Sequence, residues 1–139
     1  MIRKLLFAVT PEPSPFRELS MTALRIFVGL SLAFAHGLGK VPPSEGFIGG
    51  VTELGFPNPV FFAWAAGIAE LVGGLFLAIG LLTRPSALLA AFTLGVAAFG
   101  RHAADPFKVK ELAILYFVVF LVFAARGSGR LSVDRLINR

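Results

Sequence analysis

The stretch V-F-F-A-W-A-A-G-I-A-E-L-V-G-G-L-F-L-A-I-G-L-L, Val60 to Leu82, decides the fold: 23 residues with a single charge, Glu70. At about 1.5 Å per residue, a helix of this length covers the roughly 30 Å hydrocarbon core of a bilayer. Three more apolar stretches flank it, Leu19 to Leu38, Ser86 to Gly100 and Glu111 to Ala125. The last two are short, and reach about 17 residues only when the flanking His102 or Lys110 snorkels to the interface. A β-barrel would alternate apolar and polar residues in about ten-residue segments, and these runs do not. The expectation is an all-α membrane protein, an antiparallel four-helix transmembrane bundle.

Composition agrees. The 139 residues are 56% hydrophobic and 15% charged, with a mean hydropathy of +0.81. A soluble domain carries about 25% charged residues, and a disordered chain or coiled coil is more polar still. The absence of Cys excludes thiol–disulfide catalysis, thiolate metal sites and structural disulfides. The net charge of +5 is no nucleic-acid footprint, because the basic residues sit at the ends of apolar runs, where membrane proteins keep them.

Punctuation marks the joins. Pro42-Pro43 ends the first span, Asn58-Pro59 starts the second, Thr83-Arg84-Pro85 turns into the third, and Asp105-Pro106 precedes the fourth. Gly127-Ser128-Gly129 ends the membrane part. Residues 1–18 then read as an N-terminal cytoplasmic or interfacial segment, 19–126 as the four-helix domain and 127–139 as a basic cytoplasmic tail. Between the first two spans Ser44 caps a short interfacial helix with Phe47, Ile48, Val51 and Leu54 on one side. Met1 to Val9 is basic and then apolar, but no A-x-A site follows, so it reads as an interfacial anchor rather than a signal peptide. Arg3, Lys4, Arg17, Arg84, Arg126, Arg130, Arg135 and Arg139 make eight basic residues on one side, against four on the other, Lys40, Arg101, Lys108 and Lys110. The positive-inside rule puts both termini in the cytoplasm.

An ionisable group at mid-membrane costs at least roughly 2.5–3.5 kcal/mol, so it faces the protein interior and finds a partner. Arg25, Gly29, Leu32 and His36 share one ideal helical face, with Lys40 a turn beyond. Ala63, Gly67, Glu70 and Gly74 repeat that spacing, as do Ala91, Gly95, Ala98 and His102, and Glu111, Leu115, Val118 and Val122. These faces are expected to converge on a polar cavity with Glu70 at its floor and His36 and His102 on its walls. Two readings stay open: a ligand site, or Glu70 pairing with Arg25 or His36 to hold two helices in register. The Phe-rich fourth span, Phe117, Phe120 and Phe123, fills core and faces lipid, or lines a slot for a flat ligand. No His/Glu spacing supports a metal, and haem, flavin, dinucleotide and phosphate-loop motifs are absent from the sequence.

The runs R-I-F-V-G-L-S-L-A-F-A-H-G-L-G-K, Arg25 to Lys40, and A-G-I-A-E-L-V-G-G-L-F-L-A-I-G-L-L-T-R-P, Ala66 to Pro85, resemble the DoxX family of small membrane proteins. The tail G-S-G-R-L-S-V-D-R-L, Gly127 to Leu136, is similar to that family's usual ending. The resemblance spans about Leu19 to Ile137 and implies a four-helix membrane bundle linked to redox chemistry, since the family is related to the small subunit of a thiosulfate:quinone oxidoreductase. It leads to the expectation of a bacterial or archaeal inner-membrane component of an oxidoreductase system, with a quinone or similar lipophilic molecule in the bundle and a partner subunit supplying electrons. Glu70 and His36 are then the expected proton-exchanging pair. Arg25, Lys40, His102 and Glu111 are the further ligand-binding candidates, Arg25 or Lys40 opposing negative charge on the reduced ring. The rival expectations are a non-catalytic anchor or assembly subunit, and a small transporter. Small-residue stripes also allow a homo-oligomer.

Overall fold

The computed structural model describes residues 14–138, and among these all regular structure is helical. The expected anchor over 1–9 lies outside them. Helix α1 starts at Pro15, where Ser14 Oγ accepts from Arg17 N at 3.2 Å. It runs α-helical over Pro15–Ser31, widens to a π turn over Leu32–Gly37 and tightens to a 3-10 turn over Leu38–Lys40. The short α2, Glu45–Glu53, is capped by Ser44, whose Oγ accepts from Phe47 N. Helix α3, Pro59–Ile79, is capped by Asn58 and stops at Gly80, whose φ of 73° is open to a residue without Cβ. Helix α4, Thr83–Val96, is prolonged by a π turn over Ala97–Arg101, and α5 covers Phe107–Arg126. A last short helix, α6, covers Val133–Ile137.

By length and composition two helices among the described residues can cross a bilayer, Pro15–Lys40 with 26 residues and Pro59–Ile79 with 21. Only 33% and 28% of their most apolar windows is buried, whereas the core helix of a soluble protein is mostly buried. Phe27, Phe34, Leu89, Phe99 and Leu115 are each more than half exposed, far more apolar surface than water tolerates on a soluble chain. Helix α5 has 20 residues, with Lys108, Lys110, Glu111 and Arg126 confined to its ends.

Packing follows chain order: α1 on α3, α3 on α4 and α4 on α5, with α2 laid on α3. Helices α1 and α5 meet through an Arg126 Nη2–Glu18 Oε1 bond of 2.8 Å and a His36–Tyr116 ring contact. The core of Leu32, Leu77, Ala90, Leu94, Phe120 and Phe123 sits where α1, α3, α4 and α5 converge. Glycine sets the α1–α3 separation. A Cβ on Gly29 would stand 2.6 Å from Gly74 O, and one on Gly74 would stand 2.7 Å from Gly29 O. Close backbone approach over small residues is how membrane helices gain contact when lipid competes for every apolar surface.

Two expected faces are corrected. The stripe of Glu111, Leu115, Val118 and Val122 turns outward, with Leu115 59% and Val118 51% exposed. The inner face of α5 carries Tyr116, Phe120 and Phe123 instead. Every face of α5 is apolar, so hydropathy cannot choose between them, and Glu111, one turn in from the start of the helix, is exposed. On α1 the face toward α3 is Gly29, Ala33 and Gly37, because the π turn carries His36 off the ideal stripe.

The tail docks on the α3–α4 turn. Asp134 Oδ1 accepts from Leu82 N at 2.7 Å, Oδ2 accepts from Thr83 N at 3.0 Å, and Asp134 N donates to Gly80 O at 2.8 Å. Burial pushes the Asp134 carboxyl up, but the Thr83 and Leu82 hydrogen bonds and the Arg25 charge outweigh it, so it sits below its ordinary value of 3.8. A lowered native value makes the ionised clamp stabilising above the ordinary value and lost as pH falls through the native one. Asp134→Ala is expected to cost about 2–3 kcal/mol, since Leu82 and Thr83 lose their acceptors. Hydrogen exchange at Thr83 should speed up in the variant. In the wild type its protection relative to the free-amide rate should hold from neutrality down to the ordinary carboxylate value, and fall below it. Unchanged exchange in the variant would mean the tail does not hold the turn.

Candidate functional site

The site is built where α1 ends over the middle of α3. A Cβ on Gly37 would stand 2.6 Å from Leu71 Cα, and one on Gly67 would stand 2.6 Å from Lys40 O. The two backbones therefore touch on both sides of Glu70. This brings Lys40 over the carboxylate, and its Nζ donates to Oε1 and Oε2, both at 2.7 Å. Glu70 is 2% exposed, while Lys40 keeps part of its side chain accessible. Lys40 Nζ also lies 5.4 Å from the Phe47 ring centroid, a cation–π contact that ties α2 to the pair.

Beside the pair lies a cavity of about 460 Å³ between α2, α3 and α4. Phe47, Phe56, Phe62 and Phe92 supply aromatic walls, and Lys40, Glu70, Arg101 and His102 supply the polar rim. Its volume falls in the roughly 300–1,000 Å³ range of small-molecule sites, which are mostly apolar with a few convergent polar groups. Each ionisable group has a partner within the chain. Arg101 Nη1 donates to Glu53 Oε2 at 2.8 Å, and His102 Nδ1 hydrogen-bonds Asp105 Oδ2 at 2.7 Å. The Arg101–Glu53 bridge is more than half exposed on both sides and adds little stability.

The structure thus brings together Glu70, Lys40 and His102 from the expected set. His36 is not on the cavity wall. It is half-buried with its ring edge-on to Tyr116, centroids 5.6 Å apart, because of the π turn. Glu70 pairs with neither Arg25 nor His36. Arg25 is about four turns away along α1 and belongs to the tail dock. It is 1% exposed, Nη2 donates to Leu131 O at 2.7 Å, and Nε and Nη1 have no partner among the described residues. Glu111 is exposed at the start of α5 and does not line the cavity. The charge count gives Arg101 a role in topology alone, and Asp105-Pro106 serves there only to mark a join. A signal for the cavity did exist: Phe47, Val51 and Leu54, three of the four apolar residues on one side of the Ser44-capped helix, line it.

Comparison with known proteins adds the family. The DoxX family model matches residues 20–103. The chain is 31% identical over 121 residues to the Bacillus subtilis protein named "Putative oxidoreductase CatD", covering 86% of this chain and 88% of that one. It is 32% identical over 130 residues to the Escherichia coli inner membrane protein YphA, covering 86% and 91%. It is 30% identical over 141 residues to the Mycobacterium tuberculosis membrane protein Rv3486, covering 86% and 82%. No solved structure matches the chain. The matched stretch contains both halves of the Lys40–Glu70 pair and reaches past His102, so the polar rim of the cavity lies within it, and the chain belongs to the DoxX family of membrane proteins.

Proposed function

We propose that this protein is a bacterial inner-membrane component of an oxidoreductase system that holds a quinone or similar neutral, lipophilic ring in the cavity beside Lys40 and Glu70. Its four long helices form an antiparallel membrane-spanning bundle with both termini cytoplasmic, a reading supported by the eight basic residues against four. The cavity then opens toward the outer face. The observation that carries the reading is the combination of aromatic walls with a buried, bidentate Lys40–Glu70 pair. A charged ligand would have to displace one of three in-chain pairs, Lys40–Glu70, Arg101–Glu53 or His102–Asp105, so a neutral head is favoured. A bound quinone would supply a ring that takes up protons as well as electrons. Lys40 would donate a hydrogen bond toward a ring oxygen, and Glu70 would hold or release a proton beside it. The name of the Bacillus relative supports the redox setting. Electrons come from a partner subunit.

The test is to purify the protein in mild detergent and identify bound small molecules by mass spectrometry. Quinone near one equivalent in the wild type, and a loss of about tenfold or more in Glu70→Gln without unfolding, is the expected result. Wild-type protein free of lipophilic ligand, with Glu70→Gln merely less stable, would favour an anchoring or assembly subunit instead.

A further inference from the structure

The cavity does not end at its aromatic walls. Leu54, Phe56, Phe92 and Val96 line it and also line a second, apolar depression of about 410 Å³. That depression continues along the outer surface of α4 and α5 over Gly95, Phe99, Gly100 and Phe117. Phe99 is 58% exposed and meets Phe117 edge-on, centroids 5.6 Å apart, so an aromatic pair forms one wall on the apolar surface. Glycine keeps the floor low. A Cβ on Gly95 would stand 3.2 Å from the Phe117 ring, and one on Gly100 would stand 3.3 Å from Leu54 Cδ2. Among the described residues the depression has no ionisable lining residue, whereas the cavity has four, Lys40, Glu70, Arg101 and His102. Polarity therefore falls from the Lys40–Glu70 end to the Phe99 end.

We infer that the cavity and the depression form one continuous site for an amphiphile, with a neutral polar head beside Lys40–Glu70 and a long linear hydrocarbon or isoprenoid tail leaving past Val96 into the groove over Gly95 and Gly100. This rests on the proposed reading of the cavity and specifies the ligand class. A ring without a tail uses half of the site. A tailed ligand gains apolar contact at Phe99 and Phe117 and reaches the cavity sideways from the bilayer without crossing water.

Equilibrium titration in mild detergent separates the two parts, using a benzoquinone without a tail and the same head carrying a decyl tail. The wild type should bind the tailed probe about tenfold more tightly, a gain kept modest because the micelle also solvates the tail. Gly95→Leu with Gly100→Leu should remove that advantage while the bare head still binds. Phe99→Ala, an exposed position whose truncation spares the core, should reduce it about threefold and guards against the double variant failing to fold. Equal wild-type affinity for the two probes overturns the groove and leaves the cavity reading standing. Binding of neither probe overturns both. Displacement of the tailed probe's advantage by a saturated phosphatidylcholine, with the bare head unaffected, assigns the groove to a bilayer acyl chain and overturns the single-ligand site.

Discussion

Lys40→Met is expected to destabilise the protein more than Glu70→Gln does, although both remove the same ion pair. The difference lies in what each leaves behind. The Glu70 side chain is 3% exposed, so losing Lys40 strands a carboxylate that must stay charged without a partner or take up a proton. The Lys40 side chain is 30% exposed, so losing the Glu70 charge lets the ammonium snorkel to water. About 2–4 kcal/mol is expected for Lys40→Met and about half that for Glu70→Gln, read as thermal midpoints followed by circular dichroism in detergent. Lys40→Met with Glu70→Leu should recover most of the stability, because apolar replacements of a buried pair cost little when both charges go. The double variant should also have lost its ligand. Stability recovered with ligand retained would make the pair a structural tie and remove the reason for its place in the proposed site. Equal losses in the two single variants would mean the carboxylate is less buried than the geometry gives.

The ends of the helices are legible in the sequence because capping is local. Ser44, Asn58-Pro59 and Gly127 each satisfy or terminate a ladder within a few residues, and each stands where the spacing puts it. Glu70 is legible for a related reason, since one charge in 23 apolar residues has to be accommodated indoors. Its partner is not legible. An ideal helix carries Arg25, His36 and Lys40 near one face, and only the π turn over Leu32–Gly37 decides that Lys40 reaches Glu70 while His36 meets Tyr116. The facing of α5 is hidden by its uniformity, because Leu115 and Phe120 are equally at home in lipid and in core. The cavity escapes a helix-by-helix reading, since its walls come from α2, α3 and α4 together and no single period contains them.

Gly74→Val is expected to force the α1–α3 seam apart. The added Cβ would stand 2.7 Å from Gly29 O and 2.9 Å from Ala33 N, and both neighbours are backbone that cannot rotate aside. The helices must part, and in a bilayer lipid fills the gap with no hydrophobic force drawing them back. Overpacking of about 1–3 kcal/mol is then joined by lost contacts at Leu32 and Leu77, for a total on the order of 3–5 kcal/mol. Gly49→Ala is the control: nothing lies within 4 Å of its Cβ position, and Ala is the better helix former, so stability should hold or rise by up to about 1 kcal/mol. Gly37→Ala carries the argument to the site. Its Cβ would stand 2.6 Å from Leu71 Cα and 2.8 Å from the Glu70 carbonyl carbon, so relief of the clash moves the end of α1 that carries Lys40 away from its carboxylate. Ligand recovery should therefore fall in Gly37→Ala at a temperature where the protein remains folded. If Gly37→Ala keeps its ligand in full while Gly74→Val unfolds, the seam serves packing alone, and the coupling between helix approach and the Lys40–Glu70 pair is wrong.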